Sequence, residues 1–196
     1  MDISSSNISF QARVGENALR IVNNEFGGKL ERVKKFEQLF ADTFVKNIDE
    51  GTIVDLDKNN NYVFSHTGFP KIKYKSEKRP YLKKTFAESL LQECSKVLGN
   101  IEYKMFRVII SKSIKYGKTF EELENEAQKL FKNEKSKKYF LENLNIAKRI
   151  KKEYPASQLK DYEFDYMNNL IMQVEADTPG TELYNLMHNF GGLSFE

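Results

Sequence analysis

Apolar residues recur at three- and four-residue steps over most of the chain, which is the spacing of one face of an α-helix. The first long stripe comprises Leu30, Val33, Phe36, Phe40 and Phe44. Gly27-Gly28 separates it from an earlier helical stretch over residues 17–26, and paired glycines break a helix or mark the start of the next. The pattern therefore predicts two helices that meet at these glycines.

The spacing changes between Gly51 and Lys75, where β-branched and aromatic residues are bounded by Asn and Gly. The segment Asp57-Lys58-Asn59-Asn60 separates two extended pieces, and Asn tolerates the left-handed backbone of tight hairpin loops. A third extended piece lies between Pro70 and Pro80, which cannot occupy a central strand. This window predicts a β-hairpin with one further strand.

Helical spacing returns after Pro80, and local signals divide it into segments. We expect one helix to stop at Gly99 and the next at Gly117, because glycine is the common residue just past a helix end. A capping box, Thr119-Phe120-Glu121-Glu122, opens another helix. A Lys-rich turn over residues 135–138 should precede the helix that Pro155 ends.

Two signals define the end of the chain. Thr178 and Pro179 predict the start of the last helix, with Thr as N-cap and Pro at the first helical position. Before them, the residues that repeat at helical spacing are Leu159, Tyr162, Tyr166, Leu170 and Val174. Met167 and Ile171 widen the face of this stripe, and we expect it to pack into the core.

These elements predict a mainly α protein, a single-domain bundle of about seven helices with a small antiparallel β-hairpin or sheet near residues 51–75. Residues 1–14 are expected to form a flexible N-terminal segment, and residues 15–196 the single domain. Two smaller domains are the alternative, although 196 residues suffice for one core.

Composition narrows the class of protein. Hydrophobic residues at 40% and aromatic residues at 13% argue against wholesale disorder. With Cys94 as the only cysteine, an intramolecular disulfide is excluded. The first ten residues lack the features of a secretory signal peptide, and no apolar run is long enough to span a bilayer. We therefore expect a soluble, cytoplasmic and bacterial protein, with specialised secretion as the alternative suggested by Ser4-Ser5-Ser6-Asn7.

Charge is unevenly distributed. Between Phe69 and Lys118 there are thirteen Lys and Arg against four Glu, whereas Ser157 to Glu196 carries seven acidic residues against Lys160 alone. Opposite charge blocks of this kind predict internal pairing or an acidic partner.

The basic segment is the strongest candidate binding site. Its cations and tyrosines are Lys71, Lys73, Lys75, Lys78, Arg79, Lys83, Lys84, Tyr74 and Tyr81. The alternating lysines share one face of a strand, where they could follow a phosphate backbone while tyrosines stack on bases. The simpler interpretation is an edge strand that lysines protect from aggregation.

Signals for catalysis and metal binding are weak. Asp55, Asp57 and Asn59 begin an EF-hand-like spacing, but Asn60 and His66 occupy positions where that loop requires Gly and Glu. A polar hairpin tip accounts for these residues. No nucleotide-binding glycine pattern is present. We therefore predict no catalytic site, no metal site and no cofactor.

Three functions remain as hypotheses. The first is a non-enzymatic protein-interaction or self-association module, with a protein partner or a homo-oligomer as the assembly. The second is a nucleic-acid-binding protein without sequence specificity that uses residues 69–118. The third is a hydrolase that uses Asp or Glu together with His66.

Overall fold

The protein is mainly α-helical with a small sheet, as the sequence predicted, and the sheet has four strands in a mixed arrangement. A computed structural model describes residues 12–44, 51–76 and 85–190. The strands are β1 (Arg13–Val14), β2 (Thr52–Leu56), β3 (Tyr62–His66) and β4 (Lys73–Lys75). The helices are α1 (Glu16–Glu25), α2 (Leu30–Phe44), α3 (Phe86–Lys115), α4 (Phe120–Leu130), α5 (Glu134–Glu153), α6 (Asp161–Asp177) and α7 (Glu182–Phe190). The chain divides into two compact units, residues 1–143 and 144–196.

The sheet has the strand order β1-β2-β3-β4. Strands β2, β3 and β4 form the predicted antiparallel meander, and Asn60 adopts the left-handed backbone expected at the hairpin tip, with φ 58°. Strand β1 pairs in parallel with β2 and was not predicted. Two residues carry too little periodicity to show a strand, and only the pairing with β2 defines it. Of the predicted N-terminal segment, residues 1–11 lie outside the described residues.

The core of the first unit is rich in aromatic side chains. Phe131 lies between Phe106 and Phe140, at ring-centroid distances of 5.1 and 5.0 Å. Phe69 stacks on Phe140 at 6.0 Å, which brings the loop after β3 onto the helices. These four rings are almost fully buried, so they fix the sheet against α3, α4 and α5.

In two helices of the first unit, the first turn is capped by a carboxylate from a distant part of the chain. The Asp55 carboxylate of β2 accepts the backbone N–H of Ala18 in α1 at 3.0 Å. The Glu25 carboxylate accepts the N–H groups of Phe86 and Ala87 at the start of α3, at 2.6 and 3.1 Å. Each contact satisfies a donor that the first turn of a helix leaves unpaired.

Three predicted helix boundaries were wrong. Helix α3 runs through Gly99, because its apolar stripe stays in phase on both sides and burial outweighs the cost of about 1 kcal/mol for one internal glycine. Helix α5 includes the Lys-rich stretch, since the Asn133 side chain accepts the N–H groups of Lys135 and Ser136 and starts the helix there. Helix α7 begins three residues later than predicted. The Thr181 hydroxyl caps it by accepting from the Tyr184 N–H at 3.1 Å.

Other predicted boundaries are confirmed. Gly27 and Gly28 separate α1 from α2 with φ values of 63° and 71°, a region that glycine adopts without steric cost. The capping box at Thr119 and Glu122 is formed in full. Helix α5 ends at Glu153, two residues before Pro155. The predicted stop at Gly191-Gly192 lies outside the described residues.

The second unit contains the end of α5 together with α6 and α7, which pack against each other. Its buried apolar side chains come from the end of α5, from α6 and from the segment between these two helices. They are Leu144, Ala147, Ile150, Leu159, Phe164 and Ile171. No described helix is both long and apolar enough to cross a bilayer.

Candidate interaction surfaces

The predicted basic site is partly described. Lys71, Lys73 and Lys75 are exposed, and Tyr74 is half-buried. The remaining predicted site residues lie outside the described residues, namely Lys78, Arg79, Tyr81, Lys83 and Lys84.

Lys73 and Lys75 do share one face of the sheet, as their alternation predicted. In the strand register, Arg13, Ile53, Ser65 and Lys73 form a row across all four strands on this face. The face lines a cavity of about 570 Å³. Tyr74 points to the other side and packs on Phe64, with ring centroids 6.2 Å apart. The arrangement separates the lysines from the aromatic ring that was expected to stack beside them.

Lys75 is paired within the hairpin. Its Nζ lies 3.0 Å from the Asp57 carboxylate, which also accepts the backbone N–H groups of Asn59 and Asn61 at 2.8 and 3.0 Å. The Asn61 hydrogen bond and then the Lys75 ammonium hold the pKa of Asp57 well below its ordinary value. The carboxylate therefore closes the hairpin tip, as the simpler interpretation of this segment predicted. Among the described residues, no three acidic, His or Cys side chains are grouped to hold a metal ion.

His66, Asp55 and Asp57, the residues considered for a hydrolase, each make contacts that support the fold. His66 is 1% exposed and packs its ring on Phe69 and Phe131, at centroid distances of 5.8 and 5.1 Å. Its Nδ1 accepts the N–H of Gly68 at 3.0 Å. His66, Asp55 and Asp57 all line the cavity on the sheet face, but Asp55 caps α1 and Asp57 closes the hairpin.

A second surface was not predicted, because its apolar residues were assigned to the core. In α6, Tyr162, Tyr166 and Val174 are 71%, 62% and 61% exposed, and Leu170 is partly exposed. We call these four residues the α6 ridge. They follow one another at four-residue spacing and so lie in a row along the helix. The expectation that this stripe packs into the core was wrong for Tyr162, Tyr166 and Val174. Leu159 and Ile171 are buried, and Leu170 is partly buried.

The buried side of α6 is a different stripe. Phe164 and Ile171, seven residues apart, are 0% and 6% exposed, with Met167 partly buried between them. Phe164 and Ile171 lie almost opposite Tyr162 and Tyr166 on a helix of 3.6 residues per turn. The sequence held this signal, because α6 is apolar on two sides and only one of them can be the core side of a surface helix.

Contacts with neighbouring segments hold α6 near both of its ends. The Glu163 carboxylate accepts the N–H groups of Lys160 and Gln158 and the Ser157 hydroxyl, all at 3.1 Å. The Lys160 hydrogen bond is the main cause of the lowered pKa of Glu163. Further along the helix, Arg149 of α5 pairs with Glu175 at 2.8 Å.

The α6 ridge lies on strongly acidic helices. Six acidic residues and no Lys or Arg occur from Asp161 to Phe190. Asp161, Asp177 and Glu182 are exposed, and the described structure gives them no hydrogen bond or ion pair from their carboxylates. In α7, Leu186 and Met187 are 53% and 55% exposed. The second unit thus exposes to solvent both large apolar side chains and carboxylates that have no cationic partner in the described part of the chain.

Comparisons with protein-family models, with curated proteins and with solved structures find no match to this chain.

Proposed function

We propose that this protein is a protein-interaction module that binds a partner on the outward face of α6. The exposed α6 ridge is the observation that supports the proposal. Folded domains rarely leave contiguous large apolar side chains in water, and where they do, the patch is commonly a binding surface. A row of two tyrosines, a leucine and a valine along one helix is such a patch.

The chemistry of the ridge suits a binding surface. Tyrosine is enriched among the residues that contribute most to protein interfaces, because its ring is large, rigid and able to hydrogen-bond at one end. Covering Tyr162 and Tyr166 would remove on the order of 200 Å² from water. This area corresponds to roughly 5 kcal/mol before the costs of association, so the tyrosines could supply a substantial part of a binding energy.

Photo-crosslinking tests the proposal directly. Tyr166 is replaced by the photoreactive residue p-benzoylphenylalanine, and the protein is irradiated in an extract of its source cells. Tyr116 is the matched control, since it is 72% exposed and lies between α3 and α4 in the first unit. We expect a light-dependent adduct with one defined protein from position 166 and none with that protein from position 116.

A second variant keeps the test specific. Tyr162→Ala with Val174→Ala removes two other members of the α6 ridge and leaves the photoreactive residue in place. The adduct should be lost in this background if the ridge is the binding surface. An adduct that forms equally from both labelled positions, or no adduct from position 166, would overturn the proposal.

A further inference from the structure

We infer that the element docked on the α6 ridge is a basic amphipathic α-helix of a different protein, an inference that rests on the function proposed above. The geometry of the ridge favours a helix, and the charge around it favours a basic one.

The ridge has the geometry that another helix recognises. Residues at four-residue spacing form an inclined row on a helix surface, and such rows pack into the grooves of a facing helix. From Tyr162 to Val174 the row is about 18 Å long at 1.5 Å per residue. A partner helix of about three to four turns covers this length.

Charge selects a basic partner. Asp161 lies at the start of α6, and Asp177 and Glu182 lie beyond the other end of the ridge. These three carboxylates are exposed and have no partner among the described residues, whereas Glu175 is paired with Arg149. The segment from Asp161 to Phe190 carries six acidic residues and no Lys or Arg. Lys160 directly before it lies with Nζ 5.9 Å from the centroid of the Tyr162 ring, so the segment around the ridge carries one cation against six acidic residues and is net negative. Lysines or arginines beside the apolar face of a partner helix would complement it.

The same charges disfavour a second copy of α6 on the ridge. In an antiparallel pair, Asp161 of one copy would approach Asp177 of the other, and in a parallel pair each carboxylate would approach its own counterpart. In either arrangement each copy brings Lys160 at the start of α6 against six acidic residues from Asp161 to Phe190. Like charges that face each other across an interface oppose association, so a partner of opposite charge is favoured.

The test uses designed peptides of about five helical turns, labelled with fluorescein. The first has Leu at helical spacing on one face and Lys elsewhere. The second keeps the Leu pattern and replaces each Lys by Glu, and the third has the composition of the first in an order that gives no apolar face. Fluorescence anisotropy of the full-length protein with each peptide measures the dissociation constant.

We expect the Leu/Lys peptide to bind at least about tenfold more tightly than either control peptide. Tyr166→Ala should weaken this binding by about tenfold or more, and the matched Tyr116→Ala should leave it unchanged. Asp161→Asn with Asp177→Asn should weaken it severalfold at about 0.1 M salt and less at about 1 M, because salt screens the exposed charges. The charge control is Glu88→Gln with Glu121→Gln, which removes two exposed carboxylates of the first unit.

Equal binding of the Leu/Glu peptide would overturn the inference, as would full affinity in Tyr166→Ala. A dimer in light scattering that Tyr166→Ala dissociates would also overturn it, because the occupant would then be a second copy. These failures differ from failure of the proposed function. A crosslinked protein partner at position 166 without preference for the basic peptide would refute only the partner's chemistry.

Discussion

Helices α2 and α6 both repeat large apolar side chains at helical spacing, yet they differ in which of those side chains the fold covers. In α2, Val33, Phe36 and Phe40 are 7%, 5% and 1% exposed. In α6, Tyr162, Tyr166 and Val174 of the α6 ridge stay in water, while Phe164 and Ile171 are buried. Periodicity thus shows that a helix has an apolar face. Whether that face is buried depends on how many apolar faces the helix has and on the residue types in each.

The difference between the two helices predicts opposite responses to truncation. Phe40 is buried and packs on Phe36 with ring centroids 6.2 Å apart. Phe40→Ala should lower the free energy of unfolding by about 3–5 kcal/mol, because it removes core contacts and leaves a cavity. Tyr166→Ala should change it by less than about 0.5 kcal/mol. Urea denaturation of the two variants measures both values. Similar losses would show that the ridge is part of a core.

A smaller effect should mark the cap that α1 takes from β2. A Cβ atom added to Gly15 would lie 2.3 Å from Cγ of Asp55, so Gly15→Ala must displace the capping carboxylate. We expect a loss of about 1–2 kcal/mol in urea denaturation. Asp55→Ala provides the control, because Gly15→Ala should cost little once the carboxylate is gone. Additive losses in the double variant would separate the glycine from the cap.

Acid should affect the two regions alike, since each contains a turn closed by a carboxylate of lowered pKa, Asp57 in the hairpin and Glu163 before α6. A lowered pKa in the folded state stabilises the protein above the ordinary value near 4, and this contribution declines as the pH falls below it. Asp57→Asn and Glu163→Gln should therefore have lower urea midpoints than wild type at pH 7. Their difference from wild type should shrink at pH 3. A constant difference would contradict the assigned cause.

The smallest effect on stability is expected on the sheet face. Lys71→Glu with Lys73→Glu should change the free energy of unfolding by less than about 0.5 kcal/mol, because both side chains are exposed and have no ion pair among the described residues. The same variant tests the nucleic-acid hypothesis, which remains a prediction. If wild type binds short single-stranded DNA with strong salt dependence and the variant does not, the basic segment is a site.

The sequence predicted the elements whose signals are local. The glycine pair before α2, the hairpin around Asn60 and the capping box at Thr119 each depend on a few neighbouring residues, and all three are confirmed. Strand β1 was missed because its pairing with β2 joins distant segments. The predicted helix end at Gly99 was wrong because glycine, a local stop signal, was given more weight than the apolar stripe of α3, which continues in phase beyond it.

The candidate interaction surface on α6 could have been found by testing both sides of the helix. Phe164 and Ile171 are buried and Met167 between them is partly buried, so the core side of α6 is formed without the tyrosines. The tyrosines themselves are a signal, since their hydroxyls tolerate water better than the phenylalanines of α2. The cavity on the sheet face, by contrast, follows from the register of four strands and could not be read from residue order.

The long-range caps also determine the order in which helices can become stable during folding. Helices α4 and α6 are capped by residues of their own first turns, so their ends can form as soon as the local chain does. Helix α1 needs Asp55 from β2, and α3 receives two of its bonds from Glu25. We expect protection of the Ala18 amide of α1 to appear only with the sheet, and protection of the Phe86 and Ala87 amides of α3 only once Glu25 of α1 is in place. These caps link local helix formation to the cooperative transition of the first unit.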